Sequence, residues 1–150
     1  MSGPPSSPPQ NAADALAAIP YARFLGVRPE LRGDELTLVL PYRDALIGNP
    51  MLPALHGGVV GAFMELTAVA QLALTAGVGG HLPKTIDMSI DYLRSGRPSD
   101  VFARARVVKV GRRIANVAVE AWQHARAEPI AALRGHFLMR AAENPTPEES

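Results

Sequence analysis

The chain has no cysteine, which excludes disulfides, thiolate metal sites and a cysteine nucleophile. Aromatic residues make up only 5%, and lysine occurs twice, at Lys84 and Lys109, against thirteen arginines. A formal charge of +1 gives no general attraction to nucleic acid or to an anionic membrane surface. Neither a phosphate loop, a dinucleotide fingerprint nor a G-x-S-x-G elbow is present. His81, His124 and His136 have no ligand spacing with one another or with a carboxylate pair, so no metal is expected. The start, "MSGPPSSPPQNAAD", lacks the basic and apolar regions of a signal peptide and reads as a disordered leader over residues 1–13. Residues 141–150 read as a disordered tail. What is left is one domain over residues 14–140, expected to be cytoplasmic and to need no cofactor.

At 150 residues and 47% hydrophobic content, the chain can bury roughly two-thirds of its unfolded surface in one core. Asp14 can cap a short helix through Ile19, with Pro20 as its terminator. "FLGVRPEL" and "DELTLVLPY" read as strands joined by a hairpin-type turn at Arg32-Gly33-Asp34. In "RDALIGNPMLPAL", glycine, asparagine and two prolines argue for irregular structure. A long helix follows from about Gly58 to Ala76, ending at "GVGG". Four strands come after it. In the first, Ile86, Met88, Ile90 and Tyr92 alternate with Thr85, Asp87, Ser89 and Asp91, the pattern of a half-buried strand.

The long helix is the unusual element. Between Val59 and Ala76 its only polar side chains are Glu65, Thr67, Gln71 and Thr75. It is long enough to raise a membrane span, but Glu65, Gln71 and three glycines argue against one, as does the lack of a basic flank. A helix apolar on nearly all sides must be enclosed by protein. A curved antiparallel sheet of five to six strands, wrapped around the helix with its alternate face in water, would enclose it.

With those elements in place, the sequence resembles the hotdog-fold acyl-CoA thioesterases, and most of all the phenylacetate-degradation-type branch of the 4-hydroxybenzoyl-CoA thioesterase superfamily. The resembling segments are "GNPMLPALHGGVVGAFMELTAVAQL", "TIDMSIDYLRSGRP", "VVKVGRRIANVAVEAW" and "PIAALRGHF". The family pattern is an asparagine in a loop, a His-Gly-Gly at the helix start, and a carboxylate nine residues after the histidine. Here these are Asn49, His56-Gly57-Gly58 and Glu65. Two details differ from that pattern: Asn49 precedes His56 by seven residues rather than six, and the carboxylate is Glu rather than Asp. The resemblance implies an α+β hotdog fold and hydrolysis of an acyl-CoA thioester to a carboxylate and free CoA.

It also implies roles. The N–H of Gly57, with Gly58 as a second candidate, would polarise the thioester carbonyl, at a helix end whose bare backbone suits a developing oxyanion. Glu65 would act as general base on water or as nucleophile. Thr85 would assist the carboxylate or the water, and Asn49 would orient the thioester. His56 is a candidate too, although a ring bonded to the helix backbone is the stronger reading of it. Arg94, Arg97, Arg112 and Arg113, at strand ends, are candidates for the CoA phosphates. Phe63, Met64 and Leu46 would line the acyl pocket. Each of these residues also has an ordinary reading: a paired carboxylate, an Asx-turn at Asn49, a solvated arginine surface.

A distance argument adds a partner. Glu65 lies seven residues beyond Gly58, about 10.5 Å along a helix. A carboxylate there is badly placed to reach a carbon held at its own helix terminus. A second copy packed antiparallel would supply it, with Asn49 and Gly57 from one subunit and Glu65 and Thr85 from the other. Gly61 and Ala68 would permit close helix approach. The family is dimeric, often a dimer of dimers, so the resemblance implies a homodimer, with a homotetramer as the larger alternative. Two rival functions stand beside hydrolysis: a hotdog module that binds acyl-CoA without turnover, and an enoyl-CoA hydratase, for which no Asp-His dyad is visible.

Overall fold

A computed structural model describes residues 10–32, 35–75 and 81–139. The chain opens with helix α1 (Gln10–Ala17) and a second helix α2 (Pro20–Leu25). Strands β1 (Arg28–Arg32) and β2 (Glu35–Leu40) follow, then a 3-10 turn (Asp44–Leu46) and a small hairpin, β3 (Ile47–Asn49) and β4 (Ala54–Leu55). The long helix α3 (Gly57–Thr75) comes next, then β5 (Lys84–Tyr92), β6 (Val101–Val110), β7 (Ile114–Trp122) and β8 (Ala131–Leu138). Six strands form one antiparallel sheet in the order β1-β2-β6-β7-β8-β5. α3 packs against β2, β6, β7 and β8 and is covered on another side by α1. This is the expected hotdog arrangement.

Enclosure explains the composition of α3. By length and hydropathy it would pass as a membrane span, yet 61% of its apolar window is buried inside the protein. Ala68, Ala70 and Leu72 are fully buried, and Thr67 satisfies its hydroxyl by donating to the Phe63 carbonyl at 2.9 Å. Phe63 and Met64 are also at 0% exposure, packed in the core of the single chain. A helix apolar on every side carries no pattern saying which face meets the sheet.

Several local expectations change. α1 starts at Gln10, inside the stretch read as leader, while residues 1–9 lie outside the described residues. Pro20 does not simply end a helix; it opens α2, where its missing N–H costs nothing. α2 therefore takes Phe24 and Leu25 out of the expected strand, and Gly26 closes it with φ 72°. The proline-rich loop holds the short β3–β4 hairpin. The turn at Gly33-Asp34, the helix stop at 76–80 and the tail lie outside the described residues, although the Arg32↔Glu35 pairing brackets the turn.

At the other edge β5 is nearly all exposed. Ile86, Met88 and Tyr92 are 50%, 40% and 55% exposed, so the face expected to be half-buried is open in a single chain. β2 and β6 pair only at Leu38–Leu40, and the Arg104 guanidinium closes the splayed end by donating to Thr37 at 2.7 Å and to Glu35. Burial there holds the Arg104 pKa below its ordinary value.

Candidate active site

The amino end of α3 is built by close approach. His56 enters the helix with its N–H on the Leu46 carbonyl at 2.9 Å. A Cβ on Gly48 would lie 2.8 Å from the His56 Cα, so only glycine lets β3 pass there and carry Asn49 beside the helix start. Asn49 turns its Oδ1 onto the Met51 N–H at 3.0 Å, the Asx-turn, which leaves its amide NH2 as the donor facing outward.

The first turn of α3 is then fixed from two sides. The His56 Nδ1 accepts the Gly58 N–H at 2.9 Å, which puts the ring proton on Nε2. Tyr92, at the end of β5, donates its hydroxyl to the Gly57 carbonyl at 2.7 Å. The peptide between Gly57 and Gly58 is thus held at both ends. The Gly58 N–H, the second candidate donor, is engaged by His56. The Gly57 N–H carries no hydrogen bond among the described residues, as expected for the first residue of a helix. Tyr92 was not foreseen; its only signal was an aromatic ring with a polar tip ending an apolar strand face.

Two turns along, Thr85 donates to Glu65 Oε2 at 2.5 Å, leaving Oε1 available. Simple alternation would send Thr85 to the outer face with Asp87. A β-bulge reverses it: Thr85 pairs with Phe137 and Asp87 with His136, so Ile86 is the extra residue. Thr85 thereby shares the inward side of fully buried Phe137, while Asp87 stays outside with the His136 ring at 2.8 Å. β5 runs antiparallel to α3, with Tyr92 over Gly57, Ile90 over Gly61 and Thr85 at Glu65. Gly61 therefore serves β5 of its own chain rather than a second helix. A Cβ there would meet Ile90 Cδ1 at 2.8 Å, and Ala68 is fully buried.

The arginines divide. Arg94 and Arg97 lie in the β5–β6 connection, where Arg94 donates to the Pro129 carbonyl at 2.6 Å and Gln123 clasps the Arg97 backbone. Arg112 and Arg113 lie in the β6–β7 turn, at the far end of the ten-residue β6, about 30 Å away. The four do not form one cluster within a chain. Leu46 is buried but borders a cleft of about 500 Å³ beside His56 and Gly58.

Within one chain, then, the structure joins Glu65 to Thr85 and sets Asn49 and His56 beside Gly57. The two groups stand at opposite ends of the continuous helical stretch 57–65.

The chain matches the family model described as "Thioesterase superfamily" over residues 52–130. It is 28% identical to the medium/long-chain acyl-CoA thioesterase YigI of Escherichia coli over 68% of this chain and 74% of that protein. A crystal structure of a Chromobacterium violaceum protein is 36% identical, with a TM-score of 0.66 over 90% of this chain and 100% of that one. A phenylacetic acid degradation-related protein from Ralstonia eutropha shares the fold, with a TM-score of 0.69 at 23% identity over 86% of this chain and 99% of its own. With the sheet-wrapped helix and the His-Gly-Gly start already established, the match over more than half the chain shows that this protein belongs to the thioesterase superfamily and is a thioester hydrolase.

Proposed function

We propose that the protein hydrolyses acyl-CoA thioesters at a site shared between two copies of the chain. The observation that carries this reading is the separation of a hydrogen-bonded Glu65–Thr85 pair from an unoccupied Gly57 N–H on one rigid helix. The acyl-CoA class is supported by the likeness to YigI. The Gly57 N–H and the positive end of the α3 dipole polarise the carbonyl, where oxyanion charge develops. Glu65, steadied by Thr85, takes a proton from water as it attacks, or adds to the carbonyl itself to give an anhydride that water then cleaves; on either route the C–S bond breaks and CoA leaves as its thiolate, which takes up a proton. Asn49 donates its amide to the substrate or the water. His56 acts as a positioning residue through Gly58.

The open, apolar edge of β5 supports the dimer. Two β5 strands pairing antiparallel about Met88–Ser89 would set the partner's Thr85 opposite Tyr92, and so the partner's Glu65 near Gly57. The same rotation would bring the partner's Arg112 and Arg113 to the end that holds Arg94 and Arg97. A CoA phosphate clamp is therefore a property of the dimer. Assembly beyond a dimer, as a homotetramer, would leave this site unchanged.

Glu65→Gln tests the chemistry. Free-thiol release from an acyl-CoA panel should fall at least a hundredfold with folding intact. Activity within a few-fold of wild type would remove Glu65 from the mechanism and favour simple acyl-CoA binding.

A further inference from the structure

The two flanks of the α3 amino end differ in the charged groups they carry. On the β5 side, a cleft of about 380 Å³ bordered by Gly57, Tyr92 and Arg94 adjoins a larger one of about 910 Å³. That larger cleft carries charges of both signs, Arg94 and Arg97 with Asp100 and Glu128, alongside Gln123 and Phe102. On the α2 side, the cleft of about 500 Å³ is walled by Tyr21, Phe24, Leu25, Leu46, Ile47 and Val59. Tyr21 and Phe24 stack there with centroids 6.0 Å apart. Its one arginine, Arg43, is committed to the Phe24 ring and carbonyl, at 5.2 Å and 2.9 Å. No carboxylate lines it.

We infer that the α2-side cleft is the acyl site, that it takes an uncharged apolar acyl group, and that CoA lies toward the Arg94 side. This rests on the acyl-CoA reading. A carbonyl held at Gly57 sits between the two flanks, so its two substituents must diverge into them. A polyanion is excluded from the apolar flank by the cost of desolvating its charge, whereas each methylene buried there is worth about fourfold in affinity. The volume is within the range of small-molecule sites. α2, with Tyr21 and Phe24, becomes the specificity element for the acyl group.

Ala45 is exposed and lines this cleft, so Ala45→Trp, with its folding checked by circular dichroism, narrows the space. Hydrolysis of acetyl-, hexanoyl- and decanoyl-CoA is measured alongside calorimetric binding of free CoA and of a non-hydrolysable decanoyl-CoA thioether. In the wild type the thioether should bind at least tenfold more tightly than CoA. Ala45→Trp should erase that gap and lower kcat/KM for decanoyl-CoA at least tenfold, with acetyl-CoA within twofold. A gap that Ala45→Trp erases in a protein that cleaves none of the three esters would support the cleft and overturn the turnover of acyl-CoA instead. Retained cleavage with equal sensitivity at all three lengths, or a thioether no tighter than CoA, overturns the cleft assignment.

Discussion

Two hydroxyls bracket α3, Thr85 on the Glu65 carboxylate and Tyr92 on the Gly57 carbonyl, and each acts through a single hydrogen bond. A charge-assisted bond to a carboxylate is worth more than a neutral one. Thr85→Ala should therefore lower kcat about tenfold, with Thr85→Ser restoring most of it. Tyr92→Phe removes only the neutral bond that fixes the Gly57 peptide. It should lower kcat about fivefold with KM within twofold; a change in KM alone would assign Tyr92 to substrate binding. At this scale the sequence was most legible where chemistry demands a residue type: Asn49, His56, Gly57 and Glu65 could all be singled out. It was least legible where a residue acts through the backbone. Nothing in the one-dimensional pattern says that the His56 ring engages the Gly58 N–H, or that Tyr92 meets the Gly57 carbonyl.

Among the elements, β5 determines how α3 is presented. The Ile86 bulge lets an alternating strand place Thr85 on the helix side. Deleting Ile86 removes only the extra residue, so Thr85 should stay opposite Phe137 on the helix side and activity should hold within a few-fold of wild type. Adding Thr85→Ala to the deletion should then cost as much as it does alone, which steady-state kinetics of the double variant would reveal. Gly61 lies under the same strand, and an added Cβ would meet the movable tip of Ile90. Gly61→Ala displaces that tip but gains helix propensity, so the melting temperature should stay within a few degrees of wild type. Strand periodicity gave β5 to β8 because a two-residue repeat survives burial of one face. It could not reveal the bulge, since one extra residue looks the same in sequence as a continued strand. Pro20 was ambiguous for a related reason, as proline both ends helices and begins them.

For the whole molecule, three features of a single chain lie on one side: an open β5 edge, an apolar face on it, and the Glu65–Thr85 pair set apart from Gly57 along α3. A charge on that face, Met88→Lys, should yield a monomer by sizing, with unchanged far-UV circular dichroism and activity down at least a hundredfold. An active monomer would refute the shared site. The enclosing sheet was legible because an all-apolar helix must be covered. The acyl cleft was not, because it depends on α2, whose residues read equally well as strand. The most direct test mixes Asn49→Ala subunits with Glu65→Gln subunits and isolates the mixed dimers. If the site is shared, one of the two sites in each mixed dimer is intact, and activity should return to about half that of wild type. Mixed dimers no more active than their parents would contradict it.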